Sequence, residues 1–399
     1  MHILLNFLGI FVILGLAYLL SYDRKSIDYK IVARSIAIQF VIAFLLVKFP
    51  LGVWCVTKVG ESVSKLIGYS KIGMQFVFGS LTNAAGAAGY IFALQALGTI
   101  IFVGAMVSVL NYIGILGYVI AKIGKVVKFL TGASQLEGFV CSANMFMGDV
   151  ESPMTISKYL HLLTKSEMMV IMVSGLGSMS ANIIGGYVSL GMSAKDLIIA
   201  TTLVPLTSIV IGKILMPQTE TPIQVEDLKA AKSEAVNIID ALATGANQGI
   251  QLIIGICATM AAMISFVALG NGVLSNFGFS FEQILGFVFS PFGYFLGLEE
   301  QYVTLAGKLL GAKVILNEFV AFGILGKQIA AMDPRTATVL TISISGFANM
   351  GSMAIVLSAL GGLCPDKKPL LAQIIVKATI GGFLLSILNA MIVGLVMFI

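Results

Sequence analysis

Residues 374–398 read IIVKATIGGFLLSILNAMIVGLVMF and contain one charged side chain, Lys377. A helix of this length crosses about 30 Å of hydrocarbon, since each residue adds about 1.5 Å. Similar apolar runs cover residues 3–21, 31–50, 90–121, 168–190, 197–216, 248–270 and 336–362. Alternating strand patterning is absent, and hydrocarbon cannot satisfy an open backbone, so each run is predicted to be a helix. The sequence therefore predicts an all-α polytopic membrane protein with about eight transmembrane helices in the lipid bilayer.

The composition of the whole chain supports a membrane protein. Of 399 residues, 58% are hydrophobic and 11% are charged, and the mean hydropathy is +1.00, more apolar surface than a soluble domain of this length buries. The net charge of +5 is spread over loops and forms no basic stripe, so no nucleic-acid partner is predicted. Four well-separated cysteines predict neither a disulfide framework nor a zinc site.

Basic residues predict the orientation of the chain. Three clusters adjoin the apolar runs: Arg24, Lys25, Lys30 and Arg34; Lys122, Lys125 and Lys128; Lys367 and Lys368. All three lie inside if the amino terminus is outside. Lys58, Lys65 and Lys71 then lie outside, in a segment that is predicted to be interfacial. The first run lacks a basic flank and a small-residue cleavage site, so it is interpreted as a retained span.

The chain is predicted to form one membrane domain, residues 1–399, with five parts. These are N-terminal scaffold spans and an interfacial helix (1–130), a first hairpin repeat (131–216), an amphipathic connector (217–247), a scaffold span (248–280) and a second hairpin repeat (281–399). The polar stretch 217–247 reads either as an amphipathic helix on the inner face or as a plain solvated connector.

Two stretches, 136–162 and 281–314, are apolar enough to enter the bilayer but have polar or Gly/Pro-rich middles. The interrupting residues are 148–153 in the first stretch, and 290–293 and 297–300 in the second. Each fits a re-entrant hairpin, whose broken backbone is tolerated only where protein or a water-filled cavity covers it. Similar spans follow both hairpins, which predicts two inverted repeats with the substrate site at their interface.

Ionisable residues at membrane depth are functional candidates, because each costs several kcal/mol unless it is paired or hydrated. Five stand out: Asp149, Glu151, Glu299, Glu300 and Glu318. Glu318 lies five residues after Lys313 in an apolar stretch, so one interpretation is a structural Lys313–Glu318 pair. The other is that Glu318 and Asn317 face a polar cavity and accept hydrogen bonds from substrate hydroxyls.

Small and hydrogen-bonding residues interrupt two further spans, at 174–182 and 345–352. An unwound turn at the first interruption would expose carbonyl oxygens to a hard cation. Ordinary helix packing in membranes also uses glycine and serine in this way. Composition alone leaves both interpretations open.

Three motifs resemble those of the concentrative nucleoside transporters. Residues 311–322, GAKVILNEFVAF, are similar to that family's signature, and 346–353, GFANMGSM, and 143–153, ANMFMGDVESP, resemble two more of its motifs in the same order and spacing. The resemblance implies a homotrimer of eight-span protomers, each with two re-entrant hairpins and two discontinuous helices. It further implies elevator-like nucleoside uptake with sodium or protons across the cytoplasmic membrane, with no cofactor.

The resemblance also implies roles for individual residues. Glu318, Asn349 and Ser352 would bind the ribose hydroxyls, and Phe347 and Ile183 would contact the base. Glu151 would meet the nucleoside near its base, beside Asp149 and Val150. The family's sodium positions correspond to Asn144, the Met147 carbonyl, Ser178 and the Met179 carbonyl, which are all oxygen ligands.

This sequence departs from the family pattern at three positions. Asp149 and Val150 stand where the family usually has an amide and then a hydroxyl residue, and Gly351 replaces a serine. An amide donates and accepts hydrogen bonds, whereas an ionised carboxylate only accepts. We therefore hypothesise that Asp149 selects bases with N–H donors, such as guanine, or takes part in proton coupling.

Two other classes of protein are disfavoured. An intramembrane aspartyl protease needs a second transmembrane aspartate, which is missing. A zinc enzyme is disfavoured because the sequence contains only two histidines, His2 and His161. A channel would need rings of charge or a carbonyl filter, which are not evident. Asn144 and Ser178 favour sodium as the coupling ion, and Asp149 leaves a proton open.

Overall fold

A computed structural model describes residues 1–225 and 233–399, and every regular element in them is helical. The helices are α1 His2–Leu19, α2 Tyr29–Val47, α3 Pro50–Phe78, α4 Phe92–Gln95, α5 Thr99–Tyr112, α6 Ile115–Thr131, α7 Gln135–Ala143, α8 Glu151–Met154, α9 Lys165–Gly177, α10 Ala181–Ser189, α11 Ala194–Leu215, α12 Ile238–Leu274, α13 Phe281–Phe295, α14 Glu300–Ile315, α15 Glu318–Gly326, α16 Pro334–Ile344, α17 Met350–Leu363 and α18 Lys368–Phe398. Short 3₁₀ turns occur at Arg24–Ser26, Gly79–Thr82, Ser157–Leu162, Ser275–Phe277, Ile329–Ala331 and Pro365–Lys367.

Seven helical stretches of the described residues are long and apolar enough to cross a membrane: His2–Leu19, Tyr29–Val47, Phe92–Tyr112, Lys165–Ser189, Ala194–Leu215, Ile238–Phe277 and Pro365–Phe398. The predicted all-α membrane fold is confirmed. Two predicted runs are divided in the structure. The run at 336–362 forms α16 and α17, and the run at 90–121 ends its span at Tyr112 before α6 begins.

The connector between α11 and α12 lies partly outside the described residues. Residues 217–225 form no helix, 226–232 are not described, and α12 begins at Ile238. The predicted amphipathic helix over 217–247 therefore stays a prediction for the residues outside the described ranges.

Side-chain caps restart the helices after the breaks. Ser180 Oγ accepts a hydrogen bond from the Asn182 amide at the start of α10. Asn317 Oδ1 accepts from the Val320 amide at the start of α15, at 3.0 Å. Asn349 Oδ1 accepts from the Ser352 amide at the start of α17, at 2.9 Å. Since the first amides of a helix have no intrahelical partner, these caps fix where each half-helix begins.

The second hairpin agrees with its prediction at 297–300 and differs from it at 290–293. The backbone is helical through 290–293, where Pro291 lies inside α13 and the Ser290 hydroxyl donates to the Gly286 carbonyl. Residues 296–299 form the turn between α13 and α14. The break within apolar sequence comes later, at 316–317, between α14 and α15. The proline misled the prediction because a helix can contain it when its neighbours satisfy the local carbonyls.

The order of elements occurs twice along the chain. Each copy begins with a long helix, followed by two helices packed on each other, a short helix, a broken helix and a last long helix. In the first copy these are α5, α6 and α7, α8, α9 and α10, and α11. In the second copy they are α12, α13 and α14, α15, α16 and α17, and α18. Two related halves would produce this order, which agrees with the repeats that the sequence predicts.

The basic clusters share one end of the molecule. Arg34 at the start of α2 donates to the Phe129 carbonyl at the end of α6. The Tyr22 amide donates to the Leu215 carbonyl at the end of α11. Lys367, before α18, donates to the Leu163 carbonyl before α9. We call this the basic end, and it corresponds to the predicted inner side.

The buried core lies around α9, α11 and α18, whereas α1, α2 and α12 expose much of their apolar surface. A polar cluster ties α2 to this core, because Gln39 Nε2 donates to Thr207 Oγ1 at 2.6 Å and to Asn389 Oδ1 at 2.7 Å. The helices α5 and α12 pack closely on each other through glycine: a Cβ on Gly104 would lie 3.0 Å from the Gly245 carbonyl oxygen. Such small-residue crossings are typical of membrane helices.

Candidate functional site

The helix breaks meet one another in the middle of the fold. The Phe347 amide donates to the Ser178 carbonyl at 3.1 Å, which joins the break in α16 and α17 to the break in α9 and α10. The Ala181 amide donates to the Phe146 carbonyl at 3.0 Å, which joins α10 to the first hairpin. Gly346 has φ of +95°, and a Cβ there would lie 2.6 Å from the Gly177 carbonyl oxygen. A side chain at this position would therefore separate the two breaks.

A cavity of about 370 Å³ opens where the breaks meet. All nine residues predicted to bind substrate line it: Asp149, Val150, Glu151, Ile183, Asn317, Glu318, Phe347, Asn349 and Ser352. The other lining residues are Gly148, Ser180, Asn182, Gln251, Leu252, Gly255, Ile256, Thr259, Phe319, Gly351 and Ile355. Its volume and mixed lining are those of a site for a small polar molecule.

Glu318 is the buried carboxylate of this cavity, with 4% of its surface exposed. Its Oε1 accepts a hydrogen bond from the Tyr187 hydroxyl at 3.1 Å, and its Oε2 accepts from Asn349 Nδ2 at 3.2 Å. Each carboxylate oxygen has further lone pairs, so Glu318 can accept hydrogen bonds from a ligand without losing these partners. The two donors hold the carboxylate in place.

Lys313 does not pair with Glu318. Its ammonium is fully buried and donates to the Ser343 carbonyl at 3.2 Å, the Ser345 carbonyl at 2.7 Å and the Ser386 hydroxyl at 2.7 Å. Among the described residues, the ion pairs are Lys58–Glu61 and Lys213–Glu137. The interpretation of a structural Lys313–Glu318 pair is therefore wrong, because Lys313 binds the carbonyls at the end of α16 instead.

The first hairpin places two further carboxylates at the cavity. Glu151 Oε2 accepts a hydrogen bond from the Gly148 amide at 3.4 Å, which closes the turn at the hairpin tip. Asp149 packs against α9, where a Cβ on Gly175 would lie 3.1 Å from the Asp149 Cβ. Because Gly175 has no side chain, Asp149 can approach α9. The hairpin tip that carries Asp149 and Glu151 is therefore in contact with the broken helix.

Apolar side chains line the rest of the cavity. Ile183 and Phe347 enter it from α10 and from the break before α17. Behind Glu318, the Tyr187 ring lies 4.7 Å from the Phe319 ring and 4.4 Å from the Phe322 ring, measured between centroids. This aromatic packing fixes the tyrosine that donates to Glu318.

The predicted cation ligands lie beside the cavity. Asn144 is fully buried, and its Nδ2 donates to Ser174 Oγ at 3.0 Å, while its Oδ1 has no hydrogen-bond partner. Ser178 is also buried and donates through its hydroxyl to the Gly175 carbonyl at 3.0 Å. Met147 and Met179 are buried on the same two breaks. An unpartnered buried amide oxygen next to broken backbone fits an oxygen-coordinated cation.

Sequence reasoning missed the wall that α12 contributes. Gln251, Gly255 and Thr259 line the cavity and follow one another at four-residue intervals. Asn247 stands four residues before them, so a polar or small stripe runs along an otherwise apolar helix. This four-residue spacing is the sequence feature from which the α12 wall could have been predicted. Tyr187 was missed because it precedes Glu318 by 131 residues, a separation that a single sequence does not bridge.

Comparisons with known families cover nearly the whole chain. The family model described as the N-terminus of Na⁺-dependent nucleoside transporters matches residues 8–81, and the model of their C-terminus matches residues 196–394. Between them, a model described as nucleoside recognition matches residues 93–194. The chain belongs to the concentrative nucleoside transporter family, as its motifs predicted, and this family consists of transporters and not enzymes.

Known relatives agree with this assignment. The chain is 32% identical to a putative nucleoside permease, NupX, of Escherichia coli over 99% of both chains. It is 31% identical to the nucleoside permease NupC of Helicobacter pylori, over 98% of this chain and 97% of that protein. The structure of CNTnw in an inward-facing substrate-bound state matches with a TM-score of 0.94 and 32% identity, covering 100% of this chain and 99% of that one.

Proposed function

We propose that this protein takes nucleosides into the cell across the cytoplasmic membrane and couples this uptake to sodium entry. The observation that supports the proposal most directly is Glu318, a buried carboxylate held by Tyr187 and Asn349 at a cavity of about 370 Å³. The matches to sodium-dependent nucleoside transporters add support. Coupling to protons is the alternative, since Asp149 also lines the cavity.

The ribose binds at Glu318, Asn349 and Ser352 in this proposal. Ribose carries neighbouring hydroxyls, each of which donates one hydrogen bond and accepts others. Glu318 supplies acceptors, and the Ser352 hydroxyl supplies a donor and an acceptor. Charge-assisted hydrogen bonds to a carboxylate are the strong ones, so a sugar without these hydroxyls should bind poorly.

The base binds between the apolar side chains and the first hairpin. Ile183 and Phe347 offer apolar surface, while Asp149 and Glu151 offer acceptors at the hairpin tip. Acceptor-only groups favour bases that present N–H donors. The preference for guanine over bases with fewer donors follows from this arrangement.

Sodium binds at Asn144 Oδ1, Ser178 and the carbonyls of Met147 and Met179. The ligands come from the first hairpin and from the break after α9, and the Ala181–Phe146 hydrogen bond links these two segments. Occupation by a cation would draw both segments together and fix Asp149 and Glu151 for the nucleoside. This is how ion binding would favour substrate binding.

Transport proceeds by movement of the hairpins and broken helices past the α5–α12 pair, in an elevator-like manner. The cavity supports this division, because its α12 wall belongs to a helix that packs mainly on α5. Three protomers assemble into a homotrimer in this proposal, and the exposed apolar surface of α12 is available for that contact.

The test is uptake of radiolabelled nucleosides into proteoliposomes under an imposed sodium or proton gradient. Sodium-driven accumulation is expected for the wild type, and Glu318→Gln should reduce it at least about tenfold, because the variant loses charge-assisted hydrogen bonds of about 1.5–3 kcal/mol. Glu300, a functional candidate from the sequence, is exposed at the start of α14 and does not line the cavity, so Glu300→Gln is the matched control.

Two outcomes contradict the proposal. Accumulation under a proton gradient alone would assign the coupling to protons. No accumulation of any nucleoside under either gradient, by protein that is folded and inserted, would mean that the family's substrate class does not apply to this chain.

A further inference from the structure

One face of α6 combines basic and aromatic side chains. Tyr118, Lys122, Lys125 and Phe129 follow one another at intervals of four, three and four residues, which align on one side of a helix. Tyr118 is 65% exposed and Phe129 is 78% exposed, and both lysines are exposed. We call this the basic-aromatic face of α6. The sequence alone indicated no basic stripe; the face becomes visible once the helix is fixed over Ile115–Thr131.

The lysines of this face have no carboxylate partner among the described residues. Lys122 Nζ lies 5.5 Å from the centroid of the Tyr118 ring, and residues 115–131 contain no Asp or Glu. The ion pairs of the described residues do not include α6. Asp28, at the neighbouring start of α2, accepts hydrogen bonds from the Lys30 and Ile31 amides that it caps. The positive charge of α6 is therefore available to an outside ligand.

The location of this face matches a membrane surface. Arg34 donates to the Phe129 carbonyl at 2.7 Å, so the end of α6 lies beside the start of the membrane span α2, at the basic end. Aromatic rings favour the depth of the lipid headgroups, and lysine side chains extend from apolar surface toward them. Phosphate groups of anionic lipids complement unpaired ammonium groups.

We propose that the basic-aromatic face of α6 binds anionic phospholipid headgroups of the leaflet at the basic end. Each lysine near an anionic membrane surface contributes about a fivefold gain in binding, so two lysines together contribute about thirtyfold. The flanking rings of Tyr118 and Phe129 hold the helix at headgroup depth.

The opposite face of α6 connects this lipid site to the first hairpin. A Cβ on Gly124 would lie 2.9 Å from the Phe139 Cα, and one on Gly138 would lie 2.8 Å from the Gly124 carbonyl oxygen. The backbones of α6 and α7 thus touch, and α7 leads directly to Asn144 and Asp149. Lipid bound to α6 would keep α6 packed on α7 at the base of this hairpin, and so support uptake.

The experiment measures lipid binding and uptake with one pair of variants. Native mass spectrometry and thermal unfolding of the purified protein are compared with phosphatidylglycerol and with phosphatidylcholine, for the wild type, Lys122→Gln/Lys125→Gln and Lys122→Arg/Lys125→Arg. Lys65→Gln/Lys71→Gln, at two exposed positions on α3, is the charge-matched control. Uptake is then measured in vesicles of phosphatidylcholine with and without phosphatidylglycerol. Only this uptake arm rests on the proposed function.

The glutamine pair should bind phosphatidylglycerol about thirtyfold more weakly and lose the gain in uptake, while its uptake in pure phosphatidylcholine equals that of the wild type. The arginine pair and the α3 control should behave like the wild type. Equal phosphatidylglycerol binding by the glutamine pair would overturn the proposal. So would stabilisation by millimolar inorganic phosphate that the same variant abolishes, since the ligand would then be free phosphate.

Discussion

At the scale of single residues, the site depends on how buried charges are partnered. Glu318 and Lys313 lie five residues apart, yet they form hydrogen bonds with different partners. Glu318 accepts from Tyr187 and Asn349, whereas Lys313 donates to the carbonyls of Ser343 and Ser345. Lys313 thus satisfies the end of α16 and leaves the carboxylate free for a ligand.

Asp149 is the residue whose replacement should change what the site selects. Asp149→Gln introduces an amide, which both donates and accepts hydrogen bonds. We expect the preference among guanosine, adenosine and uridine to shift, and any dependence of uptake on pH that comes from Asp149 to disappear. Competition assays in proteoliposomes over a range of pH measure both, with Asp366→Asn, in the exposed turn before α18, as control. Unchanged preference together with an unchanged pH profile would refute a role for Asp149.

Single residues also show what a sequence can predict. Glu318, Asn349 and Asp149 could be found because polar groups within apolar runs and family-like motifs mark them. Tyr187 and Lys313 could not be assigned correctly, because their partners depend on which segments pack together. Long-range packing between hydrogen-bonding groups leaves no local signal in one sequence.

At the scale of elements, the helix breaks form much of the cavity wall. The predicted interruptions at 174–182 and 345–352 are real breaks, at 178–180 and 345–349. In the second hairpin, the predicted interruption at 297–300 corresponds to the turn at 296–299, whereas 290–293 is helical and the break at 316–317 lies beyond the predicted stretch 281–314. Asn317 caps the start of α15, and neither it nor Leu316 before it is a proline or a glycine.

Gly346 should be indispensable to the contact between the two broken helices. In Gly346→Ala, the φ of +95° costs about 1–2 kcal/mol and the new Cβ would lie 2.6 Å from the Gly177 carbonyl oxygen. We expect lower thermal stability and strongly reduced uptake. Gly323→Ala in α15 is the control, since a Cβ there meets no atom within 4 Å. If Gly346→Ala transports as well as this control, the close contact of the two breaks has no functional role.

At the scale of the whole molecule, two groups of helices have different surfaces. The helices α9, α11 and α18 are largely buried, whereas only 11% of the most apolar stretch of α12 is buried within one protomer. An exposed apolar face of this kind contacts either lipid or another protomer, and composition does not distinguish the two. The overall fold was predictable from hydropathy, but its assembly was not.

The proposed trimer makes a prediction about mass. Native mass spectrometry from mild detergent should give three times 42.2 kDa. Replacing exposed Ile254 and Phe266 of α12 with alanine should shift the protein toward monomers, whereas the same change at exposed Ile3 and Phe7 of α1 should not. A stable monomer of the wild type that still accumulates nucleosides would show that a trimer is unnecessary.

The α12 wall of the cavity has a consequence for pharmacology. Gln251 and Thr259 line the cavity from α12, which packs on α5, while Glu318 lines it from the start of α15. Under the proposed elevator-like movement, a compound that binds both sides at once would hold together two parts that have to move past each other. Nucleoside analogues extended toward Gln251 by a hydrogen-bonding group should therefore behave as blockers that occupy the carrier without being carried.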